Sequence, residues 1–169
     1  MNHTTIVQEL AANHAVFSSL LNCITKEQIT WTPAPDKWSA LEIVCHLYDE
    51  QREDFRTRLK RTLENPEKPL RPIDPVGWVT ERNYADKNFE EMVRNFLEER
   101  NRSIDWLSSL ISPSWKNIHQ HPKLAPTSAE LCLANWLAHD YLHIRQITKL
   151  KYDYLKTMCG VPLDYAGNW

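Results

Sequence analysis

The chemistry this chain can do is concentrated in its seven histidines. His139 and His143 stand four residues apart in Asn135-Trp136-Leu137-Ala138-His139-Asp140-Tyr141-Leu142-His143-Ile144-Arg145-Gln146. On a helix that spacing places both imidazoles one turn apart on one face, where they can share a metal ion. The residues around them agree: Cys132, Trp136, His139, His143, Gln146 and Leu150 step by fours and threes, the mark of an inward seam. A histidine on such a seam must be hydrogen-bonded, charged against a partner, or ligated.

Other histidines are less informative. His46 precedes Asp49 and Glu50 by three and four residues, which gathers three potential ligands or proton carriers on one stretch of helix. At about 100° per residue His46 falls opposite Val44, Tyr48 and Phe55, on an arc with Glu42, Glu50 and Glu53. The wheel therefore predicts a solvent-facing side chain, and periodicity alone does not supply a third ligand. His119 and His121 form an H-x-H in a proline-flanked loop and are read as loop residues. His3 and His14 carry no signal.

The elements that must hold these residues are set out by proline. The chain has 10 prolines and only 3 glycines among 169 residues. So few glycines argue against the positive-φ turns of an all-β sandwich and against a glycine-rich nucleotide loop. Four proline-free windows, 1–32, 36–65, 76–112 and 127–161, are each long enough for one helix, since an interior proline costs about 3 kcal/mol. Capping patterns support them: Ser39 with Glu42, Thr127 with Glu130, a weaker Thr5 with Gln8, and Asn88 with Glu91. The expected helices are 6–24, 39–63, 88–111 and 128–152. Val7, Leu10, Phe17, Leu20, Leu21 and Ile24 form the apolar face of the first, and Phe89, Val93, Phe96, Ile104, Leu107 and Ile111 that of the third.

With no strand signal, the reading is all-α: one domain over 1–169, a four-helix bundle. The short first and third connections suit antiparallel neighbours. The long link near 64–87 lets the third helix start parallel to the second, and a link of that length is often functional.

A net charge of −2, with 20 basic residues against 22 acidic, gives no footprint for nucleic acid. The densest basic run, Arg56, Arg58, Lys60 and Arg61, ends the second helix, where cations suit the helix dipole. No apolar run reaches the ~18 residues of a membrane span, and no signal peptide is evident at the N-terminus. Cys23, Cys45, Cys132 and Cys159 have no C-x-x-C spacing and read as small buried hydrophobes in a reducing cytoplasm.

The order of motifs resembles a known family. Asp36-Lys37-Trp38-Ser39-Ala40-Leu41-Glu42-Ile43-Val44-Cys45-His46-Leu47, a proline-rich crossover, a charged third helix and His139-Asp140-Tyr141-Leu142-His143-Ile144-Arg145-Gln146-Ile147 look like the DinB-like superfamily over nearly the whole chain. Lys68-Pro69-Leu70-Arg71-Pro72-Ile73-Asp74-Pro75-Val76-Gly77-Trp78 and His121-Pro122 are most similar to its bacillithiol-transferase branch. The resemblance implies an up-down-down-up bundle, a homodimer, and a divalent metal (zinc or nickel) on His46, His139 and His143. It also implies a small-molecule substrate and transfer of a low-molecular-weight thiol onto an electrophile. A metal-dependent hydrolase and a non-catalytic stress or ligand-binding bundle are the alternatives. Within that picture Asp49 or Glu50 orients His46 or accepts a proton. Arg100, inside the apolar arc of the third helix, meets a carboxylate of the thiol or snorkels to the surface. Trp136 walls the pocket or fills core.

Overall fold

A computed structural model describes residues 2–120 and 126–167. Its bundle is built from α1 (His3–Asn22), a second helix in three parts, α6 (Phe89–Ser109) and α7 (Ala129–Met158). The second helix runs as α3 (Ala40–Asp49), a π-helical stretch (Glu50–Phe55) and α4 (Arg56–Glu64). Short helices α2 (Lys26–Ile29) and α5 (Trp78–Glu81) lie in the first two connections. Residues 118–119 and 127–128 pair as a minimal antiparallel ladder, β1 and β2, where no strand was expected. Two residues per strand leave no alternation to read.

Helix starts follow local chemistry. The Ser39 hydroxyl accepts from the Glu42 amide, and Glu42 returns a bond to the Ser39 amide at 2.7 Å, the predicted capping box. Asn88 accepts from the Glu91 amide, also as predicted. Two expectations are corrected. The first helix is capped by Asn2 rather than Thr5. The last is capped by Ser128, accepting from Leu131, and Glu130 turns outward to Lys116. This last helix also runs six residues past the expected 152, stopping before Gly160, whose positive φ of 65° suits a helix terminus.

Side-chain pairings fix the directions. Phe17 meets Phe96 at 5.1 Å between centroids, while Ile6 and Leu10 lie with Leu107, so α1 and α6 are antiparallel. Gln51 donates to the Phe96 carbonyl and Arg56 pairs with Glu99, so the second and third helices run parallel. Asn13 bonds Asp140, with Ile6 near Leu133 and Phe17 near Ile147, so α1 and α7 run parallel too. The result is up-down-down-up. The crossover this requires is tied to the second helix: the Tyr84 hydroxyl donates to Asp49 at 2.8 Å, and Arg82 donates to Asp49 and Glu53 at 2.6 and 2.9 Å while stacking on Trp78.

The apolar interior falls into two clusters. One gathers Phe17, Leu21, Ile43, Phe96, Ile147 and Leu150; the other gathers Leu10, Leu59, Leu107, Leu133 and Trp136. Buried polar groups lie between them: Asn13, Gln51, Arg100, Asp140 and the histidines described below. Most of the expected apolar faces are buried, but Ile111 is 92% exposed because α6 stops at Ser109. Cys45 and Cys132 are buried as expected, whereas Cys23 is exposed and Cys159 only partly covered, each lying just past a helix end. No described helix is long and apolar enough to cross a membrane.

Candidate metal centre

His139 and His143 take their places on the inward seam of α7, and α3 brings His46 to meet them. The Nε2 atoms of His143 and His139 are 3.1 Å apart, and those of His46 and His139 are 3.4 Å apart. The His46 side chain is therefore an inward one, with 6% of the residue exposed, and the solvent-facing expectation is overturned. The wheel presumed a helix with one buried face. Between Ala40 and Leu47 only Glu42 escapes burial, because α2, α6, α7 and the crossover enclose α3 on nearly every side.

Burial holds all three imidazoles neutral. It brings His46 down to about 3, His139 to about 2 and His143 to about 4, each with smaller contributions from neighbours: His143 lowers His46; His143, His46 and Arg100 lower His139; and Gln146 raises His143. A neutral imidazole carries one N–H and one lone pair, so three Nε2 atoms facing one another cannot all be satisfied among themselves. The Nδ1 of His46 is buried and has no hydrogen-bond partner among the described residues. Two of the three separations are close to those round a cation, and all three ligand atoms lie within 4.8 Å of one another. With metal–nitrogen bonds of about 2.0–2.1 Å, a tetrahedral centre separates its nitrogens by about 3.3 Å.

Glu50 stands at the rim, its Oε2 3.7 Å from the His139 Nε2. Burial and the neighbouring Asp54 carboxylate raise it to about 7 against the pull of Arg58, a value suited to exchanging protons near neutrality. Asp49 is elsewhere. It is tied to Tyr84, Arg82 and Arg52 and fastens the crossover, so its proximity to His46 in sequence does not become a contact. The π stretch contributes here. The Arg56 amide bonds back five residues to Gln51, and Phe55 is delivered against His139 at 4.8 Å.

Trp136 is fully buried, stacked on Phe55 at 5.8 Å, and so floors the centre from the core side. Arg100 is neither snorkelling nor open to a ligand. It is 1% exposed and gives both Nη groups to Asp140 at 2.7 and 2.6 Å. Burial pushes the Asp140 carboxyl up against the pull of Arg100 and Asn13. His119 bonds the Pro66 carbonyl through Nδ1 at 2.8 Å, apart from the centre; His121 and Pro122 lie outside the described residues. Sequence reading missed Phe55, Asp54 and Trp38, whose ring is 4.8 Å from His46. The i, i+4 ladder Glu50, Asp54, Arg58 was the available signal for Asp54.

The fold and site define a class: helical bundles that gather three histidines from the second and fourth helices at one buried point. The chain belongs to the DinB superfamily, whose family model matches residues 9–147 and so spans all three histidines. Among solved structures it is similar to YfiT from Bacillus subtilis, described as a probable metal-dependent hydrolase with an unusual four-helix bundle topology. That likeness has a TM-score of 0.78 at 21% identity, over 89% of this chain and 86% of that one. No protein of curated function matches the chain.

Proposed function

We propose that this chain is a metal-dependent enzyme in which His46, His139 and His143 hold one divalent cation, zinc or nickel, and Glu50 takes a proton from the attacking nucleophile. The observation that carries this is the convergence of three buried, neutral Nε2 atoms beside one carboxyl held near 7. When bound, the cation supplies Lewis acidity and lowers the pKa of a coordinated nucleophile. Three protein ligands leave a position free for it, as catalytic rather than structural centres do. Burial keeps the imidazoles unprotonated and available, Phe55 and Trp136 keep water from the core side, and Glu50 stands within reach as proton acceptor.

Two nucleophiles fit. Water is favoured by Glu50, because a thiol on a metal loses its proton outright and needs no base. This agrees with the description of YfiT. A low-molecular-weight thiol is favoured by the resemblance of the crossover sequence at residues 68–78 to the bacillithiol-transferase branch. In either case the substrate is a small molecule and not nucleic acid, and the working form is a cytoplasmic homodimer. Elemental analysis of protein purified without an affinity tag, beside the His46→Ala, His139→Ala and His143→Ala variants, tests the centre; full metal content in the variants overturns it. Turnover of an activated aryl ester and of an aryl halide, each with and without added thiol, then decides the nucleophile. Thiol-independent ester cleavage assigns hydrolysis, and a thiol-dependent conjugate assigns transfer.

A further inference from the structure

A cavity of about 520 Å³ opens beside the histidine centre without belonging to it. Its walls are largely apolar, formed by Trp38, Leu142 and Leu150, and its rim carries Lys37, Arg145 and Lys149. Two wall residues also adjoin the centre. The ring of Trp38 lies 4.8 Å from that of His46, and Gln146 follows His143 by three residues on the same side of α7. The cavity is therefore one side chain removed from two of the three proposed ligands.

Its charge is uneven. The acid in the lining, Asp153, is already bonded to Lys149 at 2.7 Å, and Lys37 is paired with Asp36 on the exposed surface. The Arg145 guanidinium has no described partner. Leu142 stays half-exposed against this wall, an apolar surface left wet by the chain itself. A volume of this size is enough for a small organic ligand. An apolar trough ending in an unpaired guanidinium matches a molecule with an apolar body and an acidic end.

We infer that this cavity is the anchoring subsite for a small organic anion: its aliphatic or aromatic body lies on Trp38, Leu142 and Leu150, and its carboxylate meets Arg145 with Lys149 alongside. The inference rests on the metal-centre reading only for what happens at the substrate's other end, which extends past Trp38 and Gln146 toward the histidines. It moves the carboxylate-binding role from the third helix, where Arg100 is committed to Asp140, to the outer face of α7.

Calorimetric titration of the purified protein with 4-phenylbutyrate and with its neutral isostere 4-phenylbutyramide tests the subsite. The acid is expected to bind about fivefold tighter than the amide, the worth of a charge-assisted contact at a partly open site. In Arg145→Gln/Lys149→Gln that preference falls to within about twofold, with amide binding unchanged, while Trp38→Ala weakens both probes. Absence of acid binding, no preference in the parent protein, or a preference retained in the double variant (as when the acid sits on the metal) overturns the inference. Elemental analysis of the same samples keeps the two readings apart. Acid preference without metal defeats the metal centre and supports the subsite; metal without acid preference does the reverse.

Discussion

Replacing Arg100 separates a structural role from a substrate-binding one. Its guanidinium gives two parallel donors to Asp140, and Asp140 accepts a third bond from Asn13 at 3.1 Å, all in the polar layer between the two apolar clusters. The guanidinium carbon also lies 5.7–5.9 Å from the rings of Phe17, Phe96 and Trp136. Arg100→Met keeps much of the stem packing but strands Asp140 with one neutral donor. Deleting one partner of a buried ion pair costs about 3–5 kcal/mol. Against a total of about 5–15 kcal/mol for a folded domain, that is about a fifth or more of the stability. With a urea slope of about 2 kcal/mol per molar, the midpoint falls by about 1.5–2.5 M. Removing both charges in Arg100→Met/Asp140→Leu leaves no charge stranded, only the Asn13 amide without its acceptor, and the midpoint recovers to within about 1 M of the parent. Urea melts followed by far-UV circular dichroism at pH 7 on all four corners of the cycle give the coupling directly. A drop below about 0.5 M in Arg100→Met, with a raised KM for an anionic substrate, would refute the assignment and return Arg100 to the substrate.

Two further outcomes follow from the titrating groups. In Glu50→Gln the rise of kcat/KM through about pH 7 disappears and the rate falls about 10²–10⁴-fold, with metal content unchanged; a limb that survives the substitution removes Glu50 as the base. Chelator-treated protein loses stability steeply in mild acid. The folded values of about 3, 2 and 4 for His46, His139 and His143 lie below the 6.5 of an unfolded chain, so the unfolded state binds more protons in between. Stability is full above pH 6.5 and falls as pH drops toward the folded values, by at most about 4 kcal/mol per unit when three protons are taken up. Urea midpoints that stay level between pH 7 and 5 contradict the buried neutral cluster.

The bundle was legible because its signals are local. Proline bars helix interiors, and Ser39 with Glu42 and Asn88 with Glu91 satisfy amides three residues away. The seam through His139 and His143 was legible for the same reason. His46 was not, since one-sided periodicity carries no information on a helix enclosed nearly all round, and its place came only from the order of motifs. Arg100 showed its odd position within an apolar arc, but its partner lies 40 residues away beside a histidine already assigned another task. Asp49 and Glu50 are adjacent in sequence yet serve the crossover and the centre respectively, a division set by neighbours that contribute from residues 82, 84 and 139.

The π-helical stretch at residues 50–55 is one residue more than an α-helix would spend on the same rise. It lets the upstream half of the second helix, with His46, and the downstream half, with Leu59, keep separate rotational settings. A variant shortened by one residue here would wind as continuous α-helix, since five residues at about 100° each cover nearly the same rotation as the six of the π stretch. Leu59 and Thr62 would then stay in the core and His46 in its place. A residue gained or lost at this turn is thus absorbed locally, and neither the histidine-bearing half of the helix nor the core below it is re-registered.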